Sequence, residues 1–145
     1  MTCVFCEIAA GQAPASLVLD RGEILAFMDI HPWRPGHLLV VPRRHAVRVG
    51  DLTGEVAAAL WSVGIELAAA LRASNLGCDD VHLLVNDGPA AAQTVPHVHL
   101  HVVPRARGDL WRLGARLAQQ PVRRLFGAVA RDILDGHAEQ IRAAL

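Results

Sequence analysis

The run His97-Val98-His99-Leu100-His101-Val102-Val103 constrains this chain more than any other stretch. Three imidazoles alternate with branched aliphatics, the pattern of a strand whose side chains point in turn to opposite faces. As a strand it places His97, His99 and His101 on one face and Val98, Leu100 and Val102 on the other. At a rise of ~3.3 Å per residue, neighbouring imidazoles stand ~7 Å apart. The aliphatic face requires burial, which holds the polar face rigid. A rigid row of imidazoles suits metal binding, phosphate chemistry or both.

The rest of the pattern supplies a sheet for that strand. Cys3 to Gly11 carries a short helical turn. Leu17 to Asp20 and Ile24 to Met28 flank a hairpin turn at Arg21-Gly22-Glu23. Asp29 to Gly36 is a loop punctuated by Pro32, Pro35 and Gly36. His37 to Val41 is a strand stopped by Pro42. Thr53 to Ala73 is the clearest helix, with Val56, Leu60, Ile65, Leu67, Ala68 and Leu71 mainly at three- and four-residue spacings. Val81 to Asn86 is a strand, and the histidine strand follows Pro96 and stops at Pro104. Roughly ten residues without helical pattern join these two, which favours an antiparallel pair. Pro121 to Ala144 reads as a second helix, with Leu125, Val129, Ile133 and Ile141 along one side. The expected class is α+β, an antiparallel sheet of about five strands with a long central helix and a C-terminal helix.

The chain of 145 residues fits one domain, and 52% hydrophobic against 19% charged residues supports a substantial core. Formal net charge is zero, so no global field draws it to nucleic acid or to an anionic membrane. Arginines pair locally at Arg43-Arg44, Arg105-Arg107 and Arg123-Arg124, where a solvated surface explains them. The N-terminal residues show no basic leader with a long apolar run, and the aliphatic runs fall short of the ~20 residues of a membrane span. The expectation is a cytoplasmic protein in which Cys3, Cys6 and Cys78 stay thiols.

Cys3-Val4-Phe5-Cys6 is a C-x-x-C pair. It reads as a redox pair, a coincidence, or half of a tetrahedral metal site. His45, after the turn Pro42-Arg43-Arg44, and His97 would complete a chemically sensible Cys2His2 set. Equally, His45 is a surface loop residue and His97 a strand cap. If His97 goes to a metal, His99 and His101 are left free. Neutral imidazole attacks phosphorus well when its other nitrogen is held by an acceptor. Asn86, Gln93, Thr94 and the backbone of the Gly88–Gln93 loop, just before the strand, can donate to a phosphate. A rival arrangement makes His97, His99 and His101 ligands of one catalytic metal, although their spread of about 14 Å strains it. Asp29 and Ile30 can bracket a nucleoside, or Asp29 is a turn residue helped by Pro32.

Together these pieces resemble the histidine triad (HIT) nucleotide-binding superfamily. The resemblance runs from Cys3 to about Asp109. It rests on Cys3-Val4-Phe5-Cys6, Phe27-Met28-Asp29-Ile30-His31-Pro32, Gly36-His37 through His45, Asn86-Asp87-Gly88, Gln93-Thr94-Val95 and the histidine run through Arg105. It divides the chain into a HIT domain at 1–109 and a C-terminal extension at 110–145. It implies a homodimer whose sheets join, with a nucleotide groove on each protomer. It implies that His99 attacks an α-phosphate and forms a nucleotidyl-histidine intermediate, with His101 and His37 in support and Gln93 on the phosphate side. Asp29, Ile30, Asn86, Gln93 and Thr94 match nucleotide-binding positions, alongside His99 and His101. Cys3, Cys6, His45 and His97 match the structural zinc ligands of the zinc-bearing branch.

Two departures stand out. Ala90-Ala91-Ala92 precedes Gln93 where glycine is common, and His31 stands where smaller or apolar residues are common. Residues 110–145, with Trp111, match no motif. They could shape leaving-group choice, contact a partner subunit, or pack on their own domain. The implied activity is a nucleotide hydrolase or nucleotidyl transferase, on dinucleoside polyphosphates or nucleoside phosphoramidates, adenine nucleotides foremost. The competing expectations are a nucleotide-binding regulatory module with little turnover, and a metal-dependent hydrolase.

Overall fold

The structure, a computed structural model, describes residues 3–109, 114 and 127–145. Helix α1 (Val4–Ala9) leads into a five-stranded sheet of β1 (Leu17–Arg21), β2 (Ile24–Met28), β3 (Leu38–Pro42), β4 (Asp80–Val85) and β5 (Leu100–Arg105). Its spatial order is β1-β2-β3-β5-β4, and every pair is antiparallel. Helix α2 (Gly54–Ala73) joins β3 to β4, and α3 (Arg131–Arg142) closes the described chain. The class is α+β, as expected.

Both faces of the central strands are covered, which is why β2 and β3 read as unbroken apolar runs. On one face Ile24, Ala26, Met28, Leu38, Val40, Leu100 and Val102 form a core with the two long helices. On the other, Leu25, Phe27, Leu39 and Val41 pack with Phe5 of α1. Thr53 caps α2 by accepting from the Val56 N–H. The helix is apolar enough by length and composition to cross a membrane, contrary to the sequence expectation. Here it lies on the sheet instead, burying Leu60, Val63, Leu67 and Leu71. Gly64 is the seat: a Cβ there would lie 2.5 Å from Leu100 Cδ2.

Several boundaries differ from expectation. Ile65 is not on the core face of α2. It is 62% exposed, beside exposed Trp61 one turn earlier, while Val63 and Gly64 take the buried positions. The histidine strand begins at Leu100, because β3 pairs only with Leu100, His101 and Val102. Upstream, Val98 N–H donates to the Ala46 carbonyl and His97 N–H to that of Val95. The strand also passes through Pro104 to Arg105. Pairing with β3 has ended at Val102, so a residue without an N–H is tolerated there. The described part of the expected C-terminal helix starts at Arg131; residues 121–126, like Trp111, lie outside the described residues. Its buried side is Leu134, Ala138 and Ile141, while Ile133 is exposed. These residues share the core of β1, β2 and α2, so α3 packs on its own domain.

Candidate active site and metal centre

Alternation along β5 sends Leu100 and Val102 into the helix-side core and His101 to the opposite face, where it pairs in register with Leu39. His99 extends that face, its ring centroid 4.8 Å from that of His101. His37 immediately precedes β3 and reaches the same place. The chain turns into it at Gly36, whose φ is +87°. A Cβ at Gly36 would press on Leu76, Leu71 and Pro104 at 3.0–3.3 Å.

Hydrogen bonds fix the tautomers. A carbonyl only accepts, so the 2.7 Å contact between His99 Nδ1 and the His97 carbonyl puts the proton on Nδ1. Nε2 of His99 is thereby left with its lone pair. The Trp33 backbone N–H donates to His37 Nδ1 at 3.1 Å, so His37 carries its proton on Nε2. That proton goes to His101 Nδ1 at 3.0 Å. His101 is then protonated on Nε2, which is buried and has no hydrogen-bond partner among the described residues. The result is one basic nitrogen on His99 beside one orphaned donor on His101.

Electrostatics keep these rings neutral at pH 7. Burial, with neighbouring imidazoles adding to it, pushes His37 and His101 down to about 3. Asp29 Oδ2 lies 3.4 Å from His37 Nδ1, but a neutral His37 makes this no ion pair. Burial also lowers His99, against the opposing pull of the His97 carbonyl and the Asp29 carboxylate. Asp29, His37 and His101 offer ligand atoms within 4.8 Å of one another. The Trp33–His37–His101 hydrogen bonds already account for that cluster.

Asp29 accepts the His31 N–H at 2.8 Å, the turn geometry expected of it, and Ile30 beside it is exposed. Asn86 follows β4 half-buried, and Thr94 lies exposed beyond the loop. Between them the chain makes a short 3-10 turn, Pro89–Ala91, and Ala92 takes the left-handed conformation with φ +64°. The backbone shape associated with glycine is thus adopted by alanine. Gln93 is not aimed outward. Its Oε1 accepts the Gly88 N–H at 2.8 Å, and its Nε2 donates to Val47 at 2.8 Å and to the His97 carbonyl at 3.5 Å. It clamps the loop to the strand.

Cys3, Cys6, His45 and His97 converge and could hold a metal ion. Cys3 Sγ and Cys6 Sγ lie 3.4 and 3.6 Å from His97 Nδ1, and Cys6 Sγ lies 3.3 Å from His45 Nδ1. Zinc bonded at ~2.3 Å to sulfur and ~2.0 Å to nitrogen gives tetrahedral edges of about 3.5 Å. His97 Nε2–H donates to the Pro42 carbonyl at 2.8 Å, which fixes the tautomer and leaves Nδ1 as a ligand atom. The residues therefore fit the group. They also break the rival triad, since His97 turns to the cysteines while His99 and His101 face each other.

Three participants were not singled out from sequence. Phe5, between the cysteines, sets its ring against His97 and His99 at 5.8 and 5.4 Å between centroids. Trp33 stacks on His101. Val129 N–H donates to the Ile30 carbonyl at 2.9 Å, so the C-terminal segment returns to the proposed nucleoside position. Only Phe5 carried a signal, its place inside the C-x-x-C pair.

A family model described as HIT domain matches residues 10–108. The chain is 44% identical over 146 residues to an uncharacterized HIT-like protein of Mycobacterium tuberculosis, covering 99% of each. It is 32% identical over 122 residues to the adenosine 5'-monophosphoramidase of Schizosaccharomyces pombe, covering 84% of this chain and 87% of that one. Among solved structures, a zinc-bound histidine triad family protein from Mycobacterium smegmatis superposes with a TM-score of 0.82 at 38% identity, over 99% of this chain and 93% of the other.

Proposed function

This chain belongs to the HIT domain family, and from that premise we propose that it is a nucleotide hydrolase working through a nucleotidyl-histidine intermediate on His99. The observation that carries this reading is the bond from His99 Nδ1–H to the His97 carbonyl, which leaves Nε2 as the nucleophile. The lone pair of Nε2 forms an N–P bond at the α-phosphorus. The bond to the leaving group breaks with its electron pair, and the leaving group departs as a phosphate anion or as an amine that takes its proton from solvent. The orphaned Nε2–H of His101 donates to a phosphate oxygen as charge develops there. His37 holds His101 in the tautomer that can do so. Water then adds hydroxide to phosphorus, loses its proton to solvent, and returns the N–P pair to His99.

The relative in Schizosaccharomyces pombe supports an adenosine phosphoramidate as substrate, and dinucleoside polyphosphates present the same α-phosphorus. Asp29 and Ile30 take the nucleoside, and Asn86, Thr94 and the loop backbone take the phosphate side. Cys3, Cys6, His45 and His97 would hold a structural zinc, which would cross-link the N-terminal turn to the sheet. Edge strand β4 and the exposed pair Trp61 and Ile65 on α2 support a homodimer. A site that needs Cys3 and Cys6 as thiolates fits the reducing cytoplasm we propose for the protein.

The test mixes the protein with adenosine 5'-monophosphoramidate, and separately with a diadenosine polyphosphate. Release of AMP is followed, and an alkaline quench with mass spectrometry locates any adduct. An adenylyl group on His99 supports the reading. Nucleotide binding with turnover no faster than that of His99→Ala would leave only a binding module.

A further inference from the structure

The loop between β2 and β3 closes over the catalytic rings. Trp33 stacks on His101 there, centroids 5.1 Å apart and planes 14° from parallel, and lies 5.1 Å from the His37 ring. The same residue's N–H sets the His37 tautomer. A stacked aromatic pair is a weak tether by itself. The loop, however, is stapled to the far end of the strand that carries His101. Arg34 Nη1 meets Asp109 Oδ2 at 2.5 Å, and its Nη2 donates to the Gly77 carbonyl at 3.3 Å. The other oxygen of Asp109 accepts from Arg105, both from Nε at 3.0 Å and from Nη2, while the Ala106 N–H donates to Oδ2 at 3.1 Å. Arg105 is the last residue of β5 and is buried. The contacts thus form a closed circuit: along the strand from His101 to Arg105, across Asp109 to Arg34, and back through Trp33 to His101.

A ring held only by its own χ angles and one hydrogen bond still rocks about that bond. A flat surface against its face removes the rocking. We propose that Trp33, secured by Arg34, Asp109 and Arg105, is a positioning residue that fixes the plane of His101 and so aims its Nε2–H at the substrate phosphate. This rests on the reading of His101 as a phosphate donor. The indole acts through His101, so its effect disappears when His101 is gone. A merely structural cover would weaken the protein whatever stands at 101.

The experiment is a double-mutant cycle in the full chain, with adenosine 5'-monophosphoramidate as probe. Trp33→Ala is expected to lower kcat by about 10-fold or more with KM changed less than about threefold, and Trp33→Phe to recover most of the loss. In a His101→Ala background the same Trp33→Ala change is expected to cost less than about twofold. Asp109→Asn, which loosens the staple away from the rings, is expected to lower kcat in the same sense. Equal losses in both backgrounds, or no loss, overturn the proposal. Ring nitrogen correlation spectra give a readout independent of turnover. His101 should keep its protonated Nε2 in both proteins, because His37 still sets the tautomer, but its ring signals should broaden from rocking in Trp33→Ala while those of His99 do not. An unchanged His101 spectrum overturns the proposal even if the protein proves catalytically inert; inertness with the expected spectral change would sink the functional reading alone.

Discussion

The carbonyl of His97 accepts the Nδ1–H of His99 at 2.7 Å, while the ring of His97 is turned to Cys3 and Cys6. One residue thus serves the candidate metal with its side chain and the candidate nucleophile with its backbone. Replacing the imidazole at 99 should remove chemistry and leave structure. His99→Ala is expected to abolish the adduct and lower kcat by ~10³-fold or more. His101→Ala removes a single donor and is expected to cost about 10²–10³-fold, with the adduct still forming slowly. Quenched-flow mass spectrometry separates the two; an adduct of normal yield in His99→Ala would exclude that nitrogen as nucleophile.

Acid should destabilise the fold through His37 and His101. Both are buried and held down to about 3, against an ordinary 6.5. Below pH 6.5 the unfolded chain takes up protons that the native rings refuse. The unfolded state then binds more protons, so stability is complete above about 6.5 and declines as pH falls toward 3, by at most about 1.4 kcal/mol per unit for each ring. Urea unfolding at pH 7 and pH 5 measures this. A midpoint that does not move between them contradicts the burial of these rings.

Metal removal should act on stability first. A strong chelator, or Cys6→Ser, is expected to lower the thermal midpoint, with activity disappearing only as the protein unfolds. Metal content and a thermal melt on the same sample decide it. Prompt inactivation of a still-folded protein would place the ion in the chemistry and contradict the closed four-ligand site.

Gly64 should resist enlargement. Its Cβ would collide with Leu100, which lies between His99 and His101 in the strand. Gly64→Val is expected to destabilise by about 1–3 kcal/mol through overpacking, and to depress kcat more than KM. Chemical denaturation and steady-state kinetics report the two effects separately; a neutral variant would mean that α2 shifts freely on the sheet.

Ala92 should improve as glycine. Its left-handed φ of +64° carries roughly 1–2 kcal/mol of strain, and glycine returns about 0.4–1 kcal/mol of that through unfolded-state entropy. Ala92→Gly is expected to leave a net gain of about 0–1.6 kcal/mol in denaturant unfolding. A clear loss would mean that the methyl group makes compensating contacts.

Where local pattern and tertiary environment agree, the sequence was readable. The alternation around His99 and His101, the loop marked by Pro32 and Pro35, and the set Cys3, Cys6, His45 and His97 all carry residue types with few other uses. Limits set by partners were less visible. The start of β5 at Leu100 is set by where its pairing stops, at Val40 of β3 and Val85 of β4, which nothing in the histidine run records. Ile65 fits a loose helical count, yet its angle on α2 misses the sheet. Gln93 has the chemistry of a phosphate donor, and only the positions of Gly88 and Val47 show that its amide is already engaged. Trp33 and Arg34 read as loop residues because their partners, His101 and Asp109, lie far along the chain.

In β5, odd-numbered His101 faces the site while even-numbered Leu100 and Val102 fill the helix-side core. Inserting or deleting one residue between His99 and Val103 would invert that parity, driving imidazoles into hydrocarbon and aliphatics into the groove. Such a shift of the strand leaves composition almost untouched and yet swaps which side chains face the imidazole site and which face the helices. Length in this segment is therefore under tighter constraint than the identity of any one aliphatic residue within it.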